Sequence, residues 1–89
     1  MRKILQTPTF VKNKKKLHKN QLSELDTAIK AIYENPYIGE QKKGDLASVF
    51  VYKCKITKQL FLIAYQFDDS EIILLSLGSH ENFYKELKR

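Results

Sequence analysis

Between Ser48 and Leu77 the chain is mostly apolar, with isolated polar residues such as Lys53 and Lys55 and two short polar steps, at Thr57-Lys58 and Asp68-Asp69-Ser70. Runs of this length, rich in β-branched and aromatic residues and closed by turn residues, predict three consecutive strands rather than helices. The first, Ser48 to Ile56, alternates: Phe50, Tyr52, Cys54 and Ile56 share one face, while Val49, Val51, Lys53 and Lys55 share the other. Leu60 to Phe67 is apolar on both faces except for Gln66, and Ile72 to Leu77 except for Ser76. Both therefore belong in the middle of a sheet. The Thr57-Lys58 step is short enough for a tight antiparallel hairpin, although it carries no Asn-Gly or Asp-Gly signal.

Helical periodicity is confined to the first part of the chain. Lys3 to Gln6 reads as a short strand, and Thr7-Pro8 as an N-cap with proline at the first helical position. The helix that follows has only Phe10, Val11 and Leu17 as apolar anchors. Asn20 is the expected cap of a second helix, with Leu22, Leu25, Ala28, Ile29, Ile32 and Tyr33 forming one apolar stripe. Asn35-Pro36 ends it, because the residue before proline is driven out of helical geometry. Tyr37 to Asp45, with Gly39 and Gly44, reads as a loop. Gly78-Ser79 is expected to break the last strand, with Ser79 capping a short final helix from His80 to about Lys88.

The resulting order, β-α-α-β-β-β-α, predicts one α+β domain: a helical hairpin on a mostly antiparallel four-stranded sheet, closed by a short C-terminal helix. At 89 residues there is room for one core. A domain of this size buries only about 60% of its unfolded surface, so a partner that covers apolar surface would add stability. Cys54 is the single cysteine, so an internal disulfide is excluded. No apolar leader follows Arg2 and Lys3, and the longest apolar run, Leu60 to Tyr65, is far too short to span a bilayer. The expected location is the cytoplasm.

Charge narrows the function. Sixteen Lys and Arg against ten Asp and Glu give a net charge of +6, with no acidic residue before Glu24. Such a balance favours nucleic acid or an acidic protein as partner. Lys12, Lys14, Lys15, Lys16 and Lys19 form a basic arm, and Lys85, Lys88 and Arg89 a basic tail, both suited to RNA phosphates. His18 lies in that arm as a surface residue. No recurrent His/Cys spacing predicts a metal site, no Gly-rich loop predicts a phosphate cradle, and no cofactor is expected. Cys54, among apolar neighbours, reads as a core thiol rather than a nucleophile.

Four residues remain as candidates for chemistry. Lys53 and Lys55, two apart on a strand, project from the same face, where paired positive charges suit a phosphate and its more negative transition state. His80 has a side chain able to exchange protons near neutral pH. Tyr84, four residues later, would share its helix face and could stack on a base or donate a proton. Phe83 would pack in the core beside Leu87.

The segments Val51-Tyr52-Lys53-Cys54-Lys55-Ile56 and Leu62-Ile63-Ala64-Tyr65-Gln66, with the ending Leu77-Gly78-Ser79-His80 and Phe83-Tyr84, resemble the RelE/ParE superfamily of toxins from bacterial type II toxin–antitoxin systems. They are similar to its Tyr-Lys-x-Lys strand, its following Tyr-Gln strand and the Gly-x-His ending of YafQ-like members. The resemblance implies a RelE-like fold and ribosome-dependent, metal-independent cleavage of mRNA by attack of a 2′-hydroxyl on the adjacent phosphate. It implies Lys53 and Lys55 as phosphate stabilisers or proton-transfer aids, His80 as general acid/base or transition-state stabiliser, and Tyr84 as the aromatic that positions a base. It implies as partners the ribosome, mRNA and a cognate acidic antitoxin in a hetero-oligomer, with no membrane. RelE-type members carry an arginine in the strand after the lysines, where this chain has Leu62. ParE-like members of the same fold poison DNA gyrase instead, which is the alternative reading. A third is a non-enzymatic basic module that binds nucleic acid or protein.

Overall fold

In the computed structural model, which describes residues 2–42 and 48–79, the chain opens with strand β1 (Lys3–Gln6) and helix α1 (Pro8–Lys14). Helix α2 (Lys19–Glu34) follows, then a 3-10 turn over Pro36–Ile38. Strands β2 (Glu40–Gln41), β3 (Phe50–Ile56), β4 (Gln59–Phe67) and β5 (Glu71–Ser79) complete the described part. They form one sheet in the order β1-β5-β4-β3-β2, in which only the β1–β5 pair is parallel. The expected α+β arrangement and the central positions of β4 and β5 hold. The strand count is corrected from four to five: Glu40 and Gln41, expected within a loop, pair with Val51 and Phe50. Sequence alone gives no sign of this strand, because two polar residues carry no periodicity.

Both helices cover the same face of the sheet, α1 against β5 and α2 against β3. Phe10, Leu25, Ala28 and Ile32 meet Ile56, Phe61, Ile63, Tyr65, Ile72, Leu74 and Leu77 there in the main core. Thr7 caps α1 as expected, accepting from the Phe10 N–H at 3.1 Å while its hydroxyl donates to the Leu75 carbonyl at 2.7 Å. Leu17, expected as an anchor of this helix, lies beyond its last turn. Helix α2 starts earlier than expected. His18, not Asn20, is its N-cap, and the Gln21 side chain reaches back to accept the His18 N–H at 2.8 Å. Asn35-Pro36 ends it as predicted.

The β3–β4 hairpin is the predicted two-residue turn, built from unusual residues. Thr57 and Lys58 both take positive φ, 51° and 67°, the geometry that Asn-Gly adopts most readily. The Glu24 carboxylate of α2 accepts the Thr57 N–H and fixes the turn to the helix. A left-handed conformation costs a non-glycine residue roughly 1–2 kcal/mol. Replacing Thr57-Lys58 by Asn-Gly should therefore raise stability by about 1–2 kcal/mol, seen as a rise of roughly 5–10 °C in Tm by calorimetry.

The last strand departs from expectation in two ways. It runs through Gly78 and Ser79, which pair with Leu62 and Phe61, so Ser79 is a strand residue. It also contains a β-bulge: Ala64 pairs with Ser76 but Tyr65 with Leu74, leaving Leu75 as an extra residue. The bulge inverts the alternation. Ile72 and Leu74 face the helices before it, and Leu77 after it, while Ser76 and Gly78 move to the far face. Helix α1 secures the irregularity, since Thr7 bonds the Leu75 carbonyl and Asn13 Oδ1 accepts the Leu77 N–H at 3.0 Å. The expected C-terminal helix lies outside the described residues.

Candidate functional site

Lys53 and Lys55 leave β3 on the face of the sheet opposite the helices, and both are exposed. At one strand rise per residue their Cα atoms stand roughly 7 Å apart, close enough for both ammonium groups to approach one phosphate. Cross-strand pairing defines what lies beside them. Lys53 stands opposite Leu62, which stands opposite Gly78, so these three make one row across β3, β4 and β5. The next row is Val51, Ala64 and Ser76, and Lys55 faces Leu60.

The floor of this face is a second apolar cluster. Val49, Val51, Leu62 and Ala64 are buried, with Leu75 packed against them, and Leu62 is 0% exposed. The bulge contributes here, because with Leu75 paired in register the side-chain-free Gly78 would not fall in the row of Lys53. Leu62 carries no charge toward the lysines, so the cations flanking this row come from β3. The sequence shows this cluster as Val49 and Val51 alternating with the lysines, yet it does not reveal how completely it is buried.

The inward side chains of β3 support the lysines from behind. Cys54 packs against the main core together with Tyr52 and Phe50. Burial pushes its thiol up to about 11, and the Glu24 carboxylate adds to the rise. At pH 8 the group is therefore almost wholly un-ionised, which agrees with a packing role. A two-unit rise cuts the thiolate fraction about a hundredfold, partly offset by higher intrinsic nucleophilicity. Native Cys54 should thus react with an aromatic disulfide reagent on the order of tenfold more slowly than in urea-unfolded protein at the same pH.

The basic arm does not join the lysine face. Lys12 and Lys14 lie on α1, Lys15 and Lys16 follow it, and Lys19 begins α2, all on the helical side of the sheet. His18 in that arm is exposed and serves as a helix cap. His80, Tyr84, Lys85, Lys88 and Arg89 lie outside the described residues. What the fold does fix is their tether: β5 ends at Ser79, which pairs with Phe61, next to the Leu60 that faces Lys55. Among the described residues no group of three His, Cys, Asp or Glu side chains could hold a metal ion. No described helix is long and apolar enough to cross a membrane.

A feature not anticipated from sequence lies at the opposite end of the sheet. The Tyr65 hydroxyl donates to the Pro36 carbonyl at 2.7 Å and accepts the Gly39 N–H at 2.9 Å. Burial raises its pKa, so it remains protonated as a donor. A Cβ on Gly39 would stand 2.4 Å from that hydroxyl, so glycine is required for the approach.

The chain matches, over residues 4–88, the family of ParE-like toxins of type II bacterial toxin–antitoxin systems. No curated protein matches it. Among solved structures it is similar to a chain of the RelBE2 toxin–antitoxin complex of Mycobacterium tuberculosis. That likeness has 18% identity and a TM-score of 0.75 and covers 89% of this chain and 98% of that one. It is similar to the isolated Escherichia coli RelE toxin, with 19% identity, a TM-score of 0.69 and coverage of 100% and 98%. It is similar also to YafQ of Escherichia coli, with 13% identity, a TM-score of 0.69 and coverage of 94% and 99%. At these identities the likeness carries the fold.

Proposed function

This chain belongs to the ParE-like toxins of type II bacterial toxin–antitoxin systems, and on that premise we propose that it is a ribosome-dependent mRNA endoribonuclease that inhibits translation in the cytoplasm. The observation that carries the reading is the pair of exposed lysines, Lys53 and Lys55, set on one strand face above a packed apolar floor. Exposed cations on a rigid strand bind an anion without reorganising at the moment of reaction, which is where electrostatic catalysis has its effect. The similarity of the fold to RelE and YafQ adds support.

In the proposed reaction the ribose 2′-hydroxyl attacks the neighbouring phosphorus. A bond forms from the 2′-oxygen, the bond to the 5′-oxygen breaks, and a cyclic phosphate and a 5′-hydroxyl end result. Lys53 and Lys55 offset the charge that accumulates on the non-bridging oxygens. His80, tethered to the end of β5 by one peptide bond, takes or supplies the proton, and Tyr84 stacks on a base. The arm lysines Lys12, Lys14, Lys15, Lys16 and Lys19, and the tail residues Lys85, Lys88 and Arg89, hold RNA through phosphate charge. A cognate acidic antitoxin binds the chain and silences it.

The test is induction of the chain in cells with mapping of mRNA 5′ ends. Wild type should produce cuts in phase with codons, and His80→Ala should lose them by about two orders of magnitude or more. Identical cuts from both proteins would remove His80 from the chemistry. Intact mRNA together with inhibition of gyrase supercoiling in vitro would replace the reading with the gyrase one. Salt-sensitive RNA binding without cleavage would replace it with a binding module.

A further inference from the structure

The most exposed large apolar side chain among the described residues is Tyr37, at 71%, and its neighbour Ile38 is 44% exposed. Exposed as it is, the Tyr37 ring is held in place. Phe67 meets it edge-on at 5.0 Å and Phe50 at 6.4 Å, with interplanar angles of 87° and 84°. The backbone beneath it is pinned as well. Asn35 Oδ1 accepts the Tyr37 N–H at 3.2 Å, and the Tyr65 hydroxyl bonds the Pro36 carbonyl and the Gly39 N–H on either side. A ring fixed before binding loses little entropy when a partner covers it, which is the property of interface anchors.

The charge around the ring selects what covers it. Tyr37 stands at the end of the sheet where β4 finishes and β5 begins, roughly 23 Å, the length of β3, from the Thr57-Lys58 turn. Five of the seven described acidic residues lie at this end: Glu34 closes α2, Glu40 opens β2, Asp68 and Asp69 separate β4 from β5, and Glu71 opens β5. The basic residues there are Arg2, Lys3 and Lys42. Lys14, Lys15, Lys16, Lys19, Lys55 and Lys58 gather at the other end, where Asn13 bonds Leu77 and Glu24 bonds Thr57. The domain is thus polarised along its strands. One cation already lies on the aromatic surface. The Arg2 guanidinium stands 5.6 Å from the centre of the Phe67 ring, while its Nε–H donates to the Asp68 carbonyl at 2.7 Å.

We propose that Tyr37 and Ile38, with the exposed carboxylates of Glu34 and Asp69 at the same end, form a docking surface for an arginine- and lysine-rich segment of a ribosomal protein. The segment lays its aliphatic stems and cationic heads on the Tyr37 ring, as Arg2 does on Phe67, and its charge meets the carboxylates. This deepens the ribosome reading above and rests on it. Proteins that pack against RNA are basic for the same electrostatic reason as this chain, so a ribosomal site offers such segments. RNA itself is steered to the opposite end, where the lysines are. A second copy of this chain would have to dock through that same lysine end, which the proposed reaction commits to RNA.

The two ends then have different tasks. Phosphate charge draws the lysine end onto RNA but leaves the domain free to rotate there. A contact at Tyr37, a strand's length away, fixes how Lys53 and Lys55 are presented to the message.

The experiment uses the full chain and purified bacterial ribosomes. Tyr37→Ala should weaken ribosome binding about tenfold, and Tyr37→Phe should keep it within about twofold. Both should melt within a few degrees of wild type and bind a free single-stranded RNA oligonucleotide with unchanged affinity. A photoreactive p-benzoylphenylalanine placed at position 37 should cross-link, on saturating ribosomes, to a protein peptide rich in Lys and Arg. Adding Glu34→Lys/Asp69→Lys should cut that cross-link about tenfold, although the extra positive charge tightens binding to the free oligonucleotide. Wild-type affinity in Tyr37→Ala would overturn the docking surface. Cross-links confined to ribosomal RNA, or a yield indifferent to the charge reversal, would overturn the basic occupant. Failure of the wild-type chain to bind ribosomes at all would instead overturn the ribosome reading beneath it.

Discussion

Lys53→Ala/Lys55→Ala should cleave mRNA about three orders of magnitude more slowly than wild type while melting within a few degrees of it. Removing one preorganised donor to a developing oxyanion costs about 10²–10³ in rate, and in the proposed reaction both lysines serve one phosphate, so their losses should overlap rather than multiply. Stability is insulated because both side chains are exposed and the packing below them belongs to Val49, Val51, Leu62 and Ala64. Surface substitutions of this kind stay within about 0.5 kcal/mol. Single variants separate the roles: if both lysines act on the phosphate, Arg at either position should restore part of the rate through its own charge. Turnover on a ribosome-bound message, beside a calorimetric Tm, checks both halves. A double variant that retains full turnover would take the phosphate site away from β3.

Tyr65→Ala should lower stability by about 3–5 kcal/mol, the range for removing a buried aromatic, and leave the protein partly unfolded at 37 °C. Tyr65 is 0% exposed and stacks near Phe50, with ring centroids 5.8 Å apart, while Phe67 holds the exposed Tyr37 edge-on at 5.0 Å. Its hydroxyl ties β4 to the 3-10 turn by hydrogen bonds, to the Pro36 carbonyl and from the Gly39 N–H. Tyr65→Phe separates the two contributions. It keeps the ring and removes the bridge, and it should cost about 1–3 kcal/mol because a buried carbonyl loses its partner. Urea titrations of the two variants would measure the split. A loss for Tyr65→Phe equal to that for Tyr65→Ala would mean that the bridge outweighs the packing.

Alternation and turn chemistry made the sheet core, both helices and the outward direction of Lys53 and Lys55 legible, because each rests on local periodicity. The features that escaped are those decided by pairing across the sheet. Strand β2 exists only because Glu40 and Gln41 lie beside β3. The shift of the α2 cap to His18 depends on Gln21 reaching back, and Asn20 satisfies the same composition rule equally well. The apolar run of β5 correctly marks a central strand, but the bulge at Leu75, which puts part of the run one residue out of step, is invisible in it.

That extra residue gives the chain a constraint on length as firm as any on composition. Because side chains alternate strictly, pairing Leu75 in register with Ala64 instead of bulging it out would exchange the two faces for Ser76, Leu77 and Gly78 without altering any of their identities. Leu77 would leave the helices for the lysine side, and Gly78 would enter the core. An insertion or loss in β5, other than loss of the bulged residue itself, must therefore be matched elsewhere on the strand. Spacing from Leu74 to the end of β5 carries information that a residue-by-residue comparison does not register.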